Sequence, residues 1–99
     1  MAGYLVAQIT VTDPETFEKY RDVVPGVIAS HGGRYLVRGG EMEVVEGEWP
    51  AKRLVIVEFE DLAAARRFYR SDDYQKILPL RTAASEGNVA LVEGVLNVS

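Results

Sequence analysis

The stretch Arg53-Leu54-Val55-Ile56-Val57-Glu58-Phe59 decides the fold, because it contains the strongest β-strand pattern in the chain. Side chains alternate between the two faces of a strand, so Leu54 and Ile56 point to one face and Val55, Val57 and Phe59 to the other. Both faces are therefore apolar. This pattern predicts a central strand that needs cover on both sides of its sheet.

The segments just before this strand predict further strand structure. Arg34–Arg38 and Met42–Glu46 read as two short strand pieces separated by Gly39-Gly40, which is either a tight hairpin turn or a glycine bulge in one bent strand. Arg34 and Arg38 alternate on one strand face, which favours a solvated ladder of charges. The segment Glu48-Trp49-Pro50-Ala51 is typical of a second turn, and it leads into the central strand.

The first third of the chain predicts a strand followed by a helix. Tyr4–Val11 is rich in strand-forming residues. Thr12-Asp13-Pro14-Glu15 then offers a capping residue, a proline suited to the first turn and acids at the positive end of the helix dipole. Pro25-Gly26 predicts a kink inside this helix, and Gly32-Gly33 predicts its end.

The last third predicts two nearly continuous helices and a final strand. Asp61 and Ser71 are each capping residues followed by apolar side chains at helical spacing, and Pro79 is expected to bend the second helix. Gly87 is expected to close the helical region, with Val89–Val95 as the last strand. The order β, α, β, β, α, β predicts an α+β fold, a ferredoxin-like split βαβ sandwich with an antiparallel sheet.

The size and patterning of the chain predict one domain that pairs with itself. Its 99 residues, 47% of them hydrophobic, suffice for one core, so residues 1–99 are expected to form a single domain. The helices can cover only one face of the sheet, which leaves the other apolar face exposed in a lone monomer. We expect a homodimer through this sheet face, in which two sheets pack together as a dimeric α+β barrel.

The composition argues against several functional classes. A net charge of −4 with scattered basic residues disfavours nucleic acid as a partner. The absence of cysteine rules out disulfides and thiolate metal sites and is compatible with a cytoplasmic location. No apolar run approaches the roughly 18 residues that suggest a membrane span, so no membrane partner is expected. With a single histidine, no common type of metal site and no cofactor is expected either.

Several segments resemble the bacterial domain-of-unknown-function family 1330. The resemblance rests on Thr12-Asp13-Pro14-Glu15, on the segment from His31 to Gly40, on Glu46-Gly47-Glu48-Trp49-Pro50, on Lys52-Arg53-Leu54-Val55 and on Leu91-Val92-Glu93-Gly94. It spans nearly the whole chain and implies the dimeric α+β barrel superfamily. Relatives in that superfamily include cofactor-independent monooxygenases, polyketide cyclases, haem-dependent enzymes and small-molecule sensors, so membership leaves the function open.

Two residues stand out as candidates for chemistry. His31, the only histidine, is of the one side-chain type whose unperturbed pKa lies near neutrality, and it falls at the end of the first predicted helix. It is either a general acid or base, our candidate catalytic residue, or a structural group that complements the helix terminus, which is the more common role of a lone histidine. Trp49 lies in a predicted turn, where it either forms the wall of a pocket or covers the sheet edge or a dimer contact.

The other candidate ligand-binding residues are polar groups that the predicted elements bring toward the sheet: Tyr35, Glu58, Tyr69, Tyr74 and Arg81. Tyr20 could also supply a hydroxyl to such a pocket, but the helical spacing of Tyr20 and Tyr69 favours core residues with solvent-reaching hydroxyls. Glu58 lies on an apolar strand face and needs a partner, for which Arg81 is a candidate as an ion pair or as an anion anchor.

These residues lead to two alternative functions. The first is binding of a small organic metabolite in a pocket between sheet and helices, with cofactor-independent acid/base or monooxygenase-type chemistry as its enzymatic form. The alternative is a non-catalytic structural or self-association module, whose apolar residues serve only packing. A pattern of residue types does not establish that side chains converge, so the sequence leaves open whether the chain is an enzyme.

Overall fold

The computed structural model describes residues 1–95, which form a four-stranded antiparallel sheet and three helices. In chain order, the elements are β1 (Gly3–Val11), α1 (Pro14–Ser30), β2 (Arg34–Arg38), β3 (Arg53–Phe59), α2 (Leu62–Arg70), α3 (Asp72–Ala84) and β4 (Ser85–Glu93). None of the helices within residues 1–95 is long and apolar enough to cross a membrane.

The strand order across the sheet is β2-β3-β1-β4, and every neighbouring pair is antiparallel. Helix α1 therefore connects two parallel strands, β1 and β2, which have β3 between them. Helices α2 and α3 connect β3 and β4 in the same way, with β1 between them. This is the split βαβ arrangement of ferredoxin-like folds. The predicted fold class is confirmed, and β1 shares the centre of the sheet with β3.

The predicted helix starts are confirmed by their caps. The Asp13 carboxylate accepts hydrogen bonds from the Thr16 hydroxyl at 2.7 Å and from the Thr16 backbone N–H at 3.3 Å, which hold its pKa below the ordinary value. Asp61 accepts from the Ala64 backbone N–H at 2.7 Å, and the Ser71 hydroxyl accepts from the backbone N–H of Tyr74 at 3.2 Å. These bonds satisfy donors that a helix leaves unpaired at its first turn.

The predicted strand over Met42–Glu46 is wrong, because residues 39–52 form an irregular loop between β2 and β3. Gly39 has a φ of 66° and donates its backbone N–H to the Leu54 carbonyl at 2.8 Å, which closes the end of the β2–β3 ladder. The chain then leaves the sheet. Neither alternative for Gly39-Gly40, a tight hairpin turn or a glycine bulge, is observed; the bulge in β2 lies earlier, where the register shifts between Tyr35 and Val37.

The predicted end of the helical region is also wrong. Helix α3 ends at Ala84 without a glycine, since the Ala84 carbonyl accepts from the backbone N–H groups of Thr12 and Asp13 at 2.8 and 3.0 Å. Strand β4 begins at Ser85, so Gly87 lies inside it, paired with Ile9 of β1. The strand ends at Glu93, two residues before the predicted boundary.

The two faces of the sheet differ in their cover. On one face, Leu5, Ala7 and Ile9 of β1 are buried under the helices, together with Val57 and Phe59 of β3. The other face carries the alternate residues of the same strands, including Val6, Leu54 and Ile56. No helix of the described residues covers this face. That face is partly exposed and carries an apolar centre, as the alternation predicted.

Candidate functional site

A small cavity lies between α1, α3 and the helix-covered face of the sheet. It offers about 40 Å³ to water-sized molecules, which is room for about three waters. Its interior lining is mostly aliphatic and aromatic, with Ile9 and Val57 from the strands and Phe17 and Phe68 from the helices. A ligand that enters without displacing side chains is therefore small and has an apolar part.

Three polar side chains converge inside this apolar lining. The hydroxyls of Tyr20 in α1 and Tyr74 in α3 are 2.9 Å apart, and Arg81 Nε donates to the Tyr74 hydroxyl at 3.4 Å. All three residues are buried. Burial, together with the neighbouring Tyr74, raises the pKa of Tyr20 well above its ordinary value, so the phenol keeps its proton at neutral pH.

This chain of groups leaves one hydroxyl proton unused. A guanidinium has no acceptor, so Arg81 donates and the Tyr74 oxygen accepts. The two tyrosine hydroxyls share a single hydrogen bond in which either oxygen can be the donor, so one of their two protons is left for a ligand. The arrangement can donate a hydrogen bond to an oxygen or nitrogen atom of a bound molecule.

Three more arginines line the same cavity, on three different elements: Arg21 on α1, Arg38 on β2 and Arg53 at the start of β3. With Arg81 they make four of the eleven basic residues of the chain, whereas none of its fifteen acidic residues lines the cavity. Burial, followed by the charges of Arg21 and Arg38, lowers the pKa of Arg53. The cavity is therefore a positively charged region in an acidic protein.

The register shift in β2 is what places Arg38 in the cavity. Tyr35 pairs with Val57, but after the bulge Arg38 pairs with Val55, which lies on the same helix-covered face. In a regular strand, residues four apart share a face, so Arg38 would have followed Arg34 to the other side. The predicted solvated ladder of Arg34 and Arg38 is therefore wrong, because one extra residue reverses the face.

A proline inside α1 provides the hydrogen-bond acceptor that holds Arg38. In a regular helix the residue at position 25 would donate its backbone N–H to the carbonyl of Arg21, but Pro25 has no N–H. The Arg21 carbonyl instead accepts from Arg38 Nη2 at 3.4 Å. The Arg38 guanidinium also lies 4.7 Å from the centre of the Tyr35 ring, a favourable cation–π contact.

Of the seven site residues predicted from the sequence, Tyr35, Tyr74 and Arg81 meet at the cavity. Tyr35 is half-buried, and burial raises its pKa. The ion pair that we expected between Glu58 and Arg81 is wrong. Glu58 lies on the other face of the sheet, where Arg34 Nη2 contacts Glu58 Oε1 at 2.7 Å, and Arg81 contacts Tyr74 instead.

The remaining predicted residues, His31, Trp49 and Tyr69, lie outside the cavity lining. His31 lies at the end of α1 behind Phe68, with the ring centres 5.7 Å apart, and its Nε2 is 3.5 Å from Asp73 Oδ2. Trp49 is 42% exposed in the loop after β2, and Tyr69 packs on the Tyr74 ring with centres 5.4 Å apart. The functional roles assigned to these three residues stay predictions.

Sequence reasoning assigned no site role to four polar residues of the cavity lining: Tyr20, Arg21, Arg38 and Arg53. A signal existed for Arg53, because strand alternation places it on the face of Val55 and Val57. Tyr20 belongs to the apolar stripe of α1 and was favoured as a core residue. Within residues 1–95, no three histidine or carboxylate side chains come close enough together to hold a metal ion.

Comparisons with known proteins agree on the fold and on one family. The family described as Domain of unknown function (DUF1330) matches residues 2–95. No protein among curated sequences matches significantly. A solved protein of unknown function from Rhodopseudomonas palustris superposes with a TM-score of 0.76 at 16% identity, over 97% of this chain and 84% of that one.

Two further solved structures share the fold at low identity. HapK from Hahella chejuensis has a TM-score of 0.67 at 12% identity, over 98% of this chain and 96% of its own. SnoaB, a cofactor-independent oxygenase from Streptomyces nogalater, has a TM-score of 0.60 at 16% identity, over the same shares of the two chains. Similarity at this level establishes the ferredoxin-like α+β barrel fold and nothing more about chemistry.

Proposed function

We propose, from the premise that this chain belongs to the DUF1330 family, that it binds a small organic molecule in the cavity between α1, α3 and the sheet. The observation that carries this proposal is the convergence of Tyr20, Tyr74 and Arg81 inside an apolar lining. A small apolar cavity with a few oriented polar groups is the usual form of a small-molecule site. The apolar lining would hold the body of the ligand and one of the two tyrosine hydroxyls would orient it.

A thermal-shift screen of metabolites tests this proposal. A ligand that binds only the folded chain, present at 100 times its Kd, is expected to stabilise it by about 2.7 kcal/mol. Replacing Tyr20 with Phe removes one of these two hydroxyls and is expected to weaken binding about three- to tenfold. Tyr4→Phe is the matched control, because the Tyr4 hydroxyl lies on the other face near Glu58 Oε2. The absence of any thermal shift across a broad metabolite library would overturn the proposal.

The enzymatic form of the proposal is cofactor-independent proton transfer or oxygenation, and SnoaB is described as a cofactor-independent oxygenase. His31 is the proposed base in this form. Its Nε2 lies 3.5 Å from Asp73 Oδ2 without a hydrogen bond, and we propose that charge attraction to this carboxylate orients the protonated imidazole. Because His31 does not line the cavity, the substrate would have to reach the end of α1 beside Phe68. This requirement makes the role of His31 sharply testable.

Replacing His31 with Ala is expected to abolish turnover of any substrate found by screening. The melting temperature should stay within about 8 °C, because a partly exposed ion pair contributes at most ~1 kcal/mol. Asp73→Asn is expected to lower turnover in the same direction by a smaller factor, since the base would remain but lose its orienting partner. Full activity in His31→Ala would remove this residue from the chemistry.

A second proposal concerns the other face of the sheet, which would bind a second copy of the chain. Its supporting observation is the apolar centre around Val6, Leu54 and Ile56, at which the sheet lacks a covering layer. Two such faces are self-complementary across a twofold axis. The non-catalytic alternative, a structural or self-association module, rests on this face alone and needs no ligand in the cavity.

A further inference from the structure

We infer that the ligand of this cavity is an organic monocarboxylate, with its apolar body inside and its carboxylate at the mouth between Arg21, Arg38 and Arg53. The inference rests on the proposed function, because it names the chemical class of the molecule bound there. Arg21 and Arg38 are exposed while the aromatic lining is buried, so the charged end of the cavity is also its open end.

The positive charge of the arginines at the mouth favours an anionic ligand. Among residues 1–95, no carboxylate oxygen lies within ion-pair distance of Arg21, Arg38 or Arg53. Like charges held together without a counterion repel one another, which is consistent with the lowered pKa of Arg53. A bound carboxylate would neutralise this cluster and accept charge-assisted hydrogen bonds from it, which are about twice as strong as neutral ones.

Arg53 is held in place, yet it has hydrogen-bonding capacity to spare. Its guanidinium occupies the position that a Cβ would take at Gly39, and it lies 5.8 Å from the centre of the Phe17 ring. Its Nε is buried and has no hydrogen-bond partner within the described chain. A buried donor without a partner is costly. A ligand oxygen at the mouth would satisfy it without requiring the side chain to be ordered on binding.

Arg38, on the neighbouring strand β2, is positioned by two contacts. The Arg21 carbonyl that Pro25 leaves free accepts one of its Nη hydrogens, and the Tyr35 ring supports the plane of its guanidinium. The remaining N–H groups of the planar Arg38 guanidinium are left to donate to an acceptor that has two oxygens, such as a carboxylate. Arg38 and Arg53, on the neighbouring strands β2 and β3, therefore line one cavity with side chains that already have contacts, which lowers the entropy that binding must remove.

The apolar interior distinguishes an organic carboxylate from a free inorganic anion. Inorganic phosphate would be held by the arginines alone and would leave the lining of Phe17, Val55 and Phe68 without a partner. A carboxylate that carries a short aliphatic or a flat aromatic group would use both regions. Room for about three waters fits a body of about three heavy atoms, such as the propyl group of butyrate, whereas a phenyl ring enters only when lining side chains move.

Calorimetric titration of the full chain with matched acids and amides tests the inference. The probes are butyrate and butyramide, and benzoate and benzamide, which differ in charge but little in shape. We expect each acid to bind at least about tenfold more tightly than its amide. In Arg53→Gln the ratio of the amide Kd to the acid Kd should fall toward one. Arg66→Gln makes the same change in net charge at an exposed position and should preserve this ratio.

The stability of the unliganded variant gives an independent readout. Arg53→Gln relieves repulsion, so its melting temperature is expected to stay level or rise by about 2–4 °C while acid binding weakens. If this variant fails to fold, Arg21→Gln replaces it, because that side chain is exposed and the backbone carbonyl bound by Arg38 is retained. It is expected to lower the ratio of the amide Kd to the acid Kd in the same direction.

The outcomes separate this inference from the proposed function. Amides that bind as tightly as their acids would overturn the carboxylate assignment and leave the binding cavity standing. Inorganic phosphate that binds as tightly as benzoate would overturn the role of the apolar interior. Failure of all four organic probes would also overturn the monocarboxylate assignment, whereas the cavity itself is overturned only by a silent metabolite screen.

Discussion

Replacing Ile56 with Glu is expected to convert a dimer of this chain into a monomer at micromolar concentration. Ile56 lies at the centre of the uncovered sheet face, opposite Val6 of β1 and Val37 of β2. Twofold symmetry would bury two unpaired carboxylates in one interface. Because each costs several kcal/mol, the dimer Kd should rise roughly a thousandfold or more. Light scattering coupled to size-exclusion chromatography measures the mass directly.

Val23→Glu is the matched control for this experiment. Val23 is an apolar residue of α1 that is 45% exposed, so it carries the same change in chemistry on the helix side of the chain. This variant should keep the dimer mass. A monomeric wild-type chain at tens of micromolar, or an unchanged dimer of Ile56→Glu, would each contradict pairing through the sheet face.

The fold was predictable because its signals are local and repeated. Strand alternation in residues 53–59 identified the central strand, and the caps at Asp13, Asp61 and Ser71 identified all three helix starts. The errors arose where a tertiary contact replaced a local signal. The carbonyl that ends α3 is satisfied by Thr12 and Asp13 from a distant segment, so no glycine was needed there.

The candidate site was less predictable because two backbone irregularities decide it. A bulge in β2 moves Arg38 to the helix-covered face, and Pro25 frees the carbonyl that holds it. Neither effect follows from residue type, since a bulge depends on pairing with β3 and a freed carbonyl matters only when a donor lies nearby. Tyr74 and Arg81 were predictable because seven residues are two turns of one helix.

The two proposed functions lie on opposite faces of the sheet. Glu58 and Arg34 form an ion pair on the uncovered face, while Arg38 and Arg53 lie at the cavity on the covered face. Substitutions on one face should leave the contacts of the other face unchanged, because the strand backbones separate the two faces. This separation lets mass measurements and ligand titrations be interpreted independently.

Replacing Gly87 with Ala is expected to destabilise the chain by about 3 kcal/mol or more, which lowers the melting temperature by roughly 12–24 °C. Gly87 has a φ of 157° and lies inside β4 opposite Ile9. A Cβ at this position would collide with the backbone carbonyl of Gln8 in β1. Backbone atoms in a paired strand have no rotamer by which to yield, so β4 would have to move away from β1.

Gly26→Ala is the control that separates this collision from the general effect of replacing glycine. Gly26 lies inside α1, and a Cβ there would meet no atom within 4 Å. Alanine lowers the entropy of the unfolded chain and favours helix, so this variant should be more stable by about 0.5–1 kcal/mol. Chemical denaturation monitored by circular dichroism measures both changes. Opposite signs are expected, and a Gly87→Ala chain as stable as the wild type would contradict the β1–β4 register described above.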